Sequence, residues 1–435
     1  MKSFLLSCAF IFITSAIFSQ QGLQLPVKRC ASYEVYQQML QTDPFFARNQ
    51  QAIEEFTKRF IAQGGANAMN LTQSLAPLYT IPVVVHVVYK TAAQNISDAQ
   101  IQSQIDALNK DFQKLNTDVS GVPGVWTTLV ANCRVQFCLA TVDPAGNPTT
   151  GIRRVQTTKS SFNSNNNVKF TGKGGDDAWP ASDYLNLWVC KLGSGLLGYA
   201  QFPGGNAATD GVVITHTGFG TTGTAAAPFN LGRTATHEIG HWLNLRHIWG
   251  DDGNACTGSD LVGDTPNQGD ENYGCPSGAR ISCSNGPNGD MYMNFMDYTD
   301  DACMFMFTNG QKNRIYATLK TGGSRNSVTI SGKCASQVAA IGRNAEIQSL
   351  VSVQPNPVSY GAATITYKLD KVSKVQLVVA DIYGNTRFII NDGSQVEGVH
   401  QLNPSEIGKL PNGTYIIKLI ANGQPNSTSR FIVNK

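Results

Sequence analysis

Charge is scarce in this sequence. Asp, Glu, Lys and Arg together make up 14% of its 435 residues, against roughly 25% in an average soluble protein. The 33 basic and 30 acidic residues leave a formal net charge of +3 and form no long run of one sign. That argues against a nucleic-acid or other polyphosphate partner, which needs a basic stripe to hold it. Long apolar runs are missing too. Beyond the N-terminus the richest stretch, Ile81 to Val88, has strand length and carries Pro82 and His86, whereas a bilayer-spanning helix needs about 20 apolar residues. Histidine is rarer still, at six residues. What is present is 41% hydrophobic residues, 9% aromatics and 42 glycines, material for buried cores joined by many loops. At about 150 residues per domain the chain should hold two or three.

Lys2, the apolar stretch from Phe4 to Phe18, and then Ser19, Gln20 and Gln21 read as a secretory signal peptide over residues 1–19, too short and wrongly flanked to be an anchor. The mature protein is therefore expected to be secreted, with no transmembrane segment. Ten cysteines in an exported chain point to disulfides. Cys8 leaves with the signal peptide, and the odd number that remains requires at least one cysteine to be free, ligated or shared between molecules. Cys30 stands apart from the rest, and setting it aside leaves eight, enough for four bridges.

Residues 20–78 have a helical pattern, with apolar stripes at Tyr33, Tyr36, Met39 and Leu40 and at Ile53, Phe56, Phe60 and Ile61. They read as a helical prosegment, closed by a Gly-, Ala- and Asn-rich stretch from Gly64 to Asn70 suited to cleavage. From residue 79 the pattern becomes α+β. Thr80 to Lys90, Arg134 to Ala140, Tyr184 to Leu192 and Gly211 to Thr217 are expected strands. Ser97 and Gln100 form a capping box for a helix whose stripe is Ile101, Ile105, Leu108, Phe112 and Leu115. A last helix spans Asn309 to Leu319, so this domain is assigned residues 79–322, with a linker over 323–350. Residues 351–435 are expected to form a small all-β, Ig-like sandwich, with turns at Tyr383-Gly384-Asn385, Asn391-Asp392-Gly393, Pro411-Asn412-Gly413 and Asn422-Gly423.

Three of the six histidines lie in one segment, His237-Glu238-Ile239-Gly240-His241 and then His247. On a helix His237 and His241 are one turn apart and face the same way, so both imidazoles reach one ion. Glu238 lies beside them, placed to take a proton from the attacking water without being a ligand. His247 supplies a third nitrogen, which leaves the fourth position of a Zn²⁺ ion open, as in catalytic rather than structural sites. For His247 to return to the metal the helix must end sharply after His241. Asn244 occupies the place where a left-handed residue is needed, and Asn tolerates that conformation next best after Gly.

These residues resemble the metzincin zinc endopeptidases, and within them the pappalysin-like (M43) metalloproteases of the cytophagalysin and ulilysin type. The resemblance covers about Tyr79 to Leu319. It includes Asp264-Thr265-Pro266 and Asn294-Phe295-Met296-Asp297-Tyr298, followed by Cys303, Phe307-Thr308 and Gln311. It implies a mixed β-sheet with an active-site helix, one catalytic zinc and protein or peptide substrates. Met296 would lie in a tight turn beneath the metal, and Tyr298 would help stabilise the tetrahedral intermediate. It also implies the disulfides Cys256–Cys283 and Cys275–Cys303, leaving Cys133, Cys138, Cys190 and Cys334 unassigned. Some relatives bind structural calcium, for which Asp251, Asp252, Asp264 and Thr265 are the candidate ligands; a solvated acidic loop accounts for them equally well. Arg29-Cys30-Ala31 resembles the cysteine-switch element of related zymogens, in which a thiolate fills the fourth zinc position; an ordinary disulfide or an idle thiol is the alternative.

Gln354-Pro355-Asn356-Pro357, Asp381-Ile382-Tyr383-Gly384, Leu410-Pro411-Asn412-Gly413-Thr414-Tyr415 and Arg430-Phe431-Ile432-Val433 are similar to the C-terminal sorting domains of bacterial type IX secretion. That similarity implies a secretion machinery as partner. The expected function is thus a secreted zinc endopeptidase made as a zymogen. The rivals are a non-catalytic adhesion protein braced by zinc and a zinc amidase acting on a non-protein amide. Asp300 and Asp301, after the methionine turn, could attract basic substrate side chains, although two exposed loop acids are the commoner explanation of such a pair.

Overall fold

The computed structural model describes residues 27–66, 79–334, 351–359, 363–369, 371–381 and 385–435. The expected signal peptide lies outside the described residues, as do most of the segment expected to be cleaved and residues 335–350 of the expected linker. The chain divides into two compact units, Met1–Ala335 and Ser336–Lys435.

The first unit is built on a six-stranded sheet. Its central strand β1, Tyr79–Tyr89, carries Val83, Val85 and Val87 at full burial, and each such side chain contributes about 1.5–3 kcal/mol. One edge of β1 is shared in succession by β2 (Val135–Leu139) and β3 (Ile152–Gln156). The other pairs with β4 (Leu185–Cys190), and β6 (Val212–Thr215) follows, all parallel. The sheet ends in a short antiparallel strand, β5, Gly198–Ala200. The expected strands thus form within a residue or two of their anticipated limits, while β3 and β5 had no sequence signal. His86 sits buried on β1 between Asp176 Oδ2 at 2.7 Å and Asn186 Oδ1 at 3.0 Å, a packing role.

Five helices among the described residues of this unit matter to the site. The two nearest the N-terminus are α1 (Ser32–Thr42) and α2 (Pro44–Ala62). Asp43 starts α2 by accepting from the amides of Phe45 and Phe46. Its buried face is Phe46, Gln50, Thr57 and Phe60; of the expected stripe Phe60 is buried, Ile53 and Phe56 are half-buried and Ile61 is exposed. The sheet-covering helix α3, Asp98–Phe112, buries Ile101, Ile105, Leu108 and Phe112. Its capping box is only half formed: Ser97 Oγ accepts from Gln100 N, but the Gln100 amide turns away to Phe219 O and Thr224 N. The complete capping box belongs to α5, Asn309–Leu319, through Thr308 and Gln311. Between these lies α4, Arg233–Trp242. Residues past 322 are not a linker at first. They form α6, Asn326–Thr329, with Val328 buried, and Cys334 is bonded to Cys138.

The second unit has two antiparallel sheets enclosing one core. β7 (Val351–Gln354), β8 (Thr364–Leu369) and β11 (Gly398–Leu402) make one sheet. β9 (Ser373–Asp381), β10 (Thr386–Gln395), β12 (Gly413–Ala421) and β13 (Gln424–Val433) make the other. Asn391-Asp392-Gly393 is not the expected turn. It lies inside β10, where the register slips between Asn391 and Gly393 and Gly393 takes a φ of 72°, a β-bulge that a left-handed glycine permits.

Candidate active site

Helix α4 is buried along its whole length. Its first turn has no capping side chain of its own. Instead Asp301 Oδ2 accepts from Leu231 N at 2.8 Å and Arg233 N at 3.2 Å, and Arg233 pairs with Asp111 and Asp118. The last turn closes as a Schellman motif. Leu245 N returns to Gly240 O and Asn244 N to His241 O, both at 2.9 Å, with Asn244 at a φ of 71°. That left-handed residue turns the chain, so His247 faces the two histidines of the helix.

The three imidazoles converge. His241 Nε2 lies 3.1 Å from both His237 Nε2 and His247 Nε2. Each ring also turns its other nitrogen to an acceptor of its own. His237 Nδ1 donates to Phe295 O at 2.7 Å, His241 Nδ1 to Leu245 O at 2.8 Å and His247 Nδ1 to Asp251 Oδ1 at 2.6 Å. Burial, then the nearby His247, lowers His237 to about 3 and pushes His241 well below its ordinary value, so both are neutral. Three lone pairs aimed at one point repel unless a cation sits between them. Zn–N bonds of about 2.0–2.1 Å imply a nitrogen–nitrogen separation of about 3.3 Å in a tetrahedral site. The donor set therefore fits zinc, with Nδ1 acceptors that fix each tautomer.

Cys30 completes the group. Its Sγ lies with the three histidines within 4.8 Å of mutual separation, and all four residues are buried. The segment around it runs along the edge strand β5. Leu197 N donates to Lys28 O, Ala31 N to Gly198 O, and Ala200 N to Ser32 Oγ. Glu238, fully buried, accepts from Ser32 Oγ at 2.6 Å and from Cys30 Sγ at 3.3 Å. Burial pushes its carboxyl up to about 7, against the hydrogen bonds of Ser32 and Cys30. The carboxylate passes so close to β5 that a Cβ on Gly198 would stand 2.9 Å from Glu238 Oε1, so glycine is required there.

Met296 fills the floor, with its sulfur 2.4 Å from where a Gly240 Cβ would be. Asn294 forms the turn that delivers it, accepting from Met296 N at 2.9 Å and exchanging two amide bonds with Gln311. Tyr298 packs edge-on to His247 and tilted against His237, at 4.9 and 5.6 Å between ring centres. Burial holds its phenol well above the usual range and hence protonated. Trp249 stacks on His247 at 4.3 Å and meets Tyr298 edge-on at 4.7 Å.

Beside Glu238 a small cavity is lined in part by Leu197, Phe229, Tyr298 and Met304. The Arg29 guanidinium lies against it, 3.9 Å over the Phe229 ring and 2.8 Å from Asp300 Oδ1. Asp301 is buried and engaged at the start of α4, so of the two acids only Asp300 meets a basic side chain.

The candidate calcium ligands are not brought together. Asp251 serves His247, and Asp252 accepts from Thr257 N and Gly258 N. Asp264 accepts from Thr308 Oγ1 and Gly310 N, and Thr265 Oγ1 donates to Asp260. Asp252 Oδ1 is left buried without a hydrogen-bond partner, and among the described residues the group around Cys30 is the only set of three or more His, Cys, Asp or Glu donors close enough to share an ion. Disulfides join Cys256 to Cys283 and Cys275 to Cys303, the pairs the resemblance implies, and Cys138 to Cys334. Cys133 and Cys190 are buried free thiols, so three bridges stand where the parity argument expected four. Ser32 is a site residue that sequence reasoning missed, and Asp251 and Arg29 hold positions in the site other than those expected of them. The His247–Asp251 spacing and the adjacency of Arg29 and Ser32 to Cys30 were the available signals.

Known proteins share this arrangement. The family description of the M43 peptidases, given as pregnancy-associated plasma protein-A, matches residues 172–320. An extracellular metalloprotease of Arthroderma otae is 33% identical over 276 residues, covering 60% of this chain and 84% of that one. Mature mirolysin of Tannerella forsythia in complex with a cleaved peptide is 51% identical, with a TM-score of 0.58 over 59% of this chain and 97% of its own. A promirolysin mutant from the same organism is 45% identical, with a TM-score of 0.63 over 70% of this chain and 97% of its own.

Proposed function

The chain belongs to the M43 (pappalysin) family and is a metalloendopeptidase, and from that premise we propose that it is exported as a latent zymogen using Glu238 as general base. His237, His241 and His247 are the zinc ligands in this reading. The observation that carries it is the convergence of three Nε2 atoms, each ring tethered through its Nδ1, beside a buried carboxylate. Bound zinc supplies a Lewis acid for the scissile carbonyl and makes water a nucleophile at neutral pH. Glu238 takes the proton of that water and returns it to the leaving amine. Tyr298 offers a protonated hydroxyl to the charge that develops on the scissile oxygen. Met296 supports the histidines from below, and Asp251, Phe295 and Leu245 keep their tautomers fixed. A zinc that merely braced an adhesion protein would have no use for a buried carboxylate at this position.

Latency rests on Cys30, whose sulfur takes the fourth ligand position while residues 28–32 cover β5. The prosegment is residues 20–78 and the peptidase domain residues 79–322. In support, the promirolysin neighbour covers 70% of this chain and the mature one 59%. Residues 351–435, an Ig-like sandwich in this reading, address the chain to a type IX secretion machinery. Expression without residues 351–435 in a host having that machinery should leave the enzyme inside the cell; undiminished secretion would remove this part of the reading.

The cavity that Arg29 lines in the latent chain is the seat of the substrate side chain that follows the scissile bond, and Asp300 makes it prefer Arg or Lys. The processed enzyme, given a peptide library with and without 1,10-phenanthroline, should cut before basic residues and stop when chelated. Asp300→Ala should lower the preference for Arg about tenfold, the loss of one charge-assisted contact of about 1.4 kcal/mol. Cleavage that persists in excess chelator, or peptides left intact while other amides are cut, would overturn the assignment.

A further inference from the structure

The turn between the second and third histidines is held from outside. Three successive carbonyls at the end of α4 each accept from a side chain of the segment 314–325. Trp242 O takes Arg325 Nε at 2.7 Å, Leu243 O takes Thr318 Oγ1 at 3.2 Å, and Asn244 O takes Arg314 Nε and Nη2 at 3.1 and 3.0 Å. A left-handed residue with a side chain is strained, so Asn244 keeps its conformation because the surrounding bonds over-determine it. Arg325 is balanced by Asp210 within the same domain. Arg314, 1% exposed, is balanced by Glu54 of α2. Its Nη2 and Nη1 donate to Glu54 Oε1 and Oε2 at 2.6 and 3.0 Å, and Asn244 Nδ2 donates to the same Oε1 at 3.1 Å. Burial alone would raise the Glu54 carboxyl, but the hydrogen bonds and charge of Arg314, with Asn244, pull it below its ordinary value.

We propose that Arg314 is a positioning residue for the third zinc ligand and that Glu54 docks on it as a second latch of the zymogen, separate from Cys30. The guanidinium fork bridges the prosegment helix and the carbonyl of the turn residue in one bidentate arrangement, which Lys cannot reproduce. Cys30 blocks the metal directly. Glu54 instead grips the turn residue Asn244 and its anchor Arg314, so the prosegment holds the site at two places, one just before α1 and one on α2. Once the prosegment leaves, Arg314 keeps its bonds to Asn244 O and continues to orient His247. The inference rests on the zymogen reading above.

The test uses the full-length chain. Cleavage of a fluorogenic peptide before maturation is measured for the wild type, Glu54→Ala, Glu54→Gln and Cys30→Ser. Both Glu54 variants should leak above the wild type, Glu54→Ala at least tenfold, and should shed the prosegment faster. Processing between residues 66 and 79 removes position 54, so all the Glu54 chains yield the same mature enzyme, which serves as an internal control. Mature Arg314→Lys should lose zinc to a competing chelator at least tenfold faster, with kcat lowered and KM unchanged. A purely structural residue would lower the melting temperature without that split. If Cys30→Ser leaks while both Glu54 variants stay silent, the latch is wrong and the zymogen reading stands. If the intact wild type is already as active as the processed enzyme, the zymogen reading fails and takes this inference with it. Unchanged zinc release in Arg314→Lys would overturn the positioning role.

Discussion

A Glu238→Ala chain is expected to retain stoichiometric zinc and to lose kcat by about 10²–10⁴-fold, the span attributed to general acid–base catalysis. The two halves of this result have separate causes. Metal retention follows because the ion's donors are the three Nε2 atoms, each held by its own Nδ1 acceptor at Phe295, Leu245 or Asp251. None of those bonds involves Glu238, so its removal leaves the ligand set in place. Loss of turnover follows because Glu238 is the carboxylate beside the converging Nε2 atoms, while Asp251, the other acid in contact with the histidines, is engaged at His247 Nδ1, the ring nitrogen turned away from them. Removing a fully buried acid also removes its desolvation cost, so the variant should fold. Glu238→Gln keeps the volume beside Gly198 and separates proton transfer from packing: it should be as inactive as the alanine variant. Metal analysis together with steady-state kinetics on a cleavable peptide reads both halves, and full activity in either variant would refute the general-base assignment.

The parts of the site that were legible in the sequence are those fixed by local geometry. Two histidines four apart on a helix must face the same way, and Asn244 marks a left-handed stop without knowledge of anything distant. Met296 and Tyr298 were legible only through the family resemblance, because what places them is the Asn294–Gln311 amide pair across seventeen residues. Asp251 was misread as a metal ligand because a carboxylate in a Gly-rich loop carries the same signal whether it meets an ion or an imidazole. Asp301 was read with Asp300 as a substrate acid, whereas the bare start of α4 claims it. The edge strand β5 is three residues long, too short for any alternation to register. Cys138 and Cys334 are 196 residues apart, and parity cannot distinguish such a bridge from the two buried thiols that remain unpaired.

Replacing Cys30 by serine in the full-length chain should raise its activity before any cleavage by about 10²–10³-fold. Structural zinc sites are worth about 10–16 kcal/mol over four ligands, so one ligand accounts for about 3–4 kcal/mol, and 1.4 kcal/mol is a factor of ten. The surroundings of the thiol argue that its hold on the site depends on the metal. Burial, then the nearby Glu238, pushes the Cys30 thiol well above its ordinary value, and only a cation can offset both to give a thiolate. Ser32 N donates to the sulfur at 3.2 Å, and Ser32 Oγ donates to Glu238 at 2.6 Å. The same short segment therefore occupies the metal's free position and engages the general base. A serine hydroxyl is a far weaker zinc ligand and leaves the position exchangeable, while the edge pairing with Gly198 and the Arg29–Asp300 bond persist. Those residual contacts set the expected activity below that of the processed enzyme. A serine variant as silent as the wild type would place latency in these edge contacts and in the helix docking of α2 rather than in the sulfur.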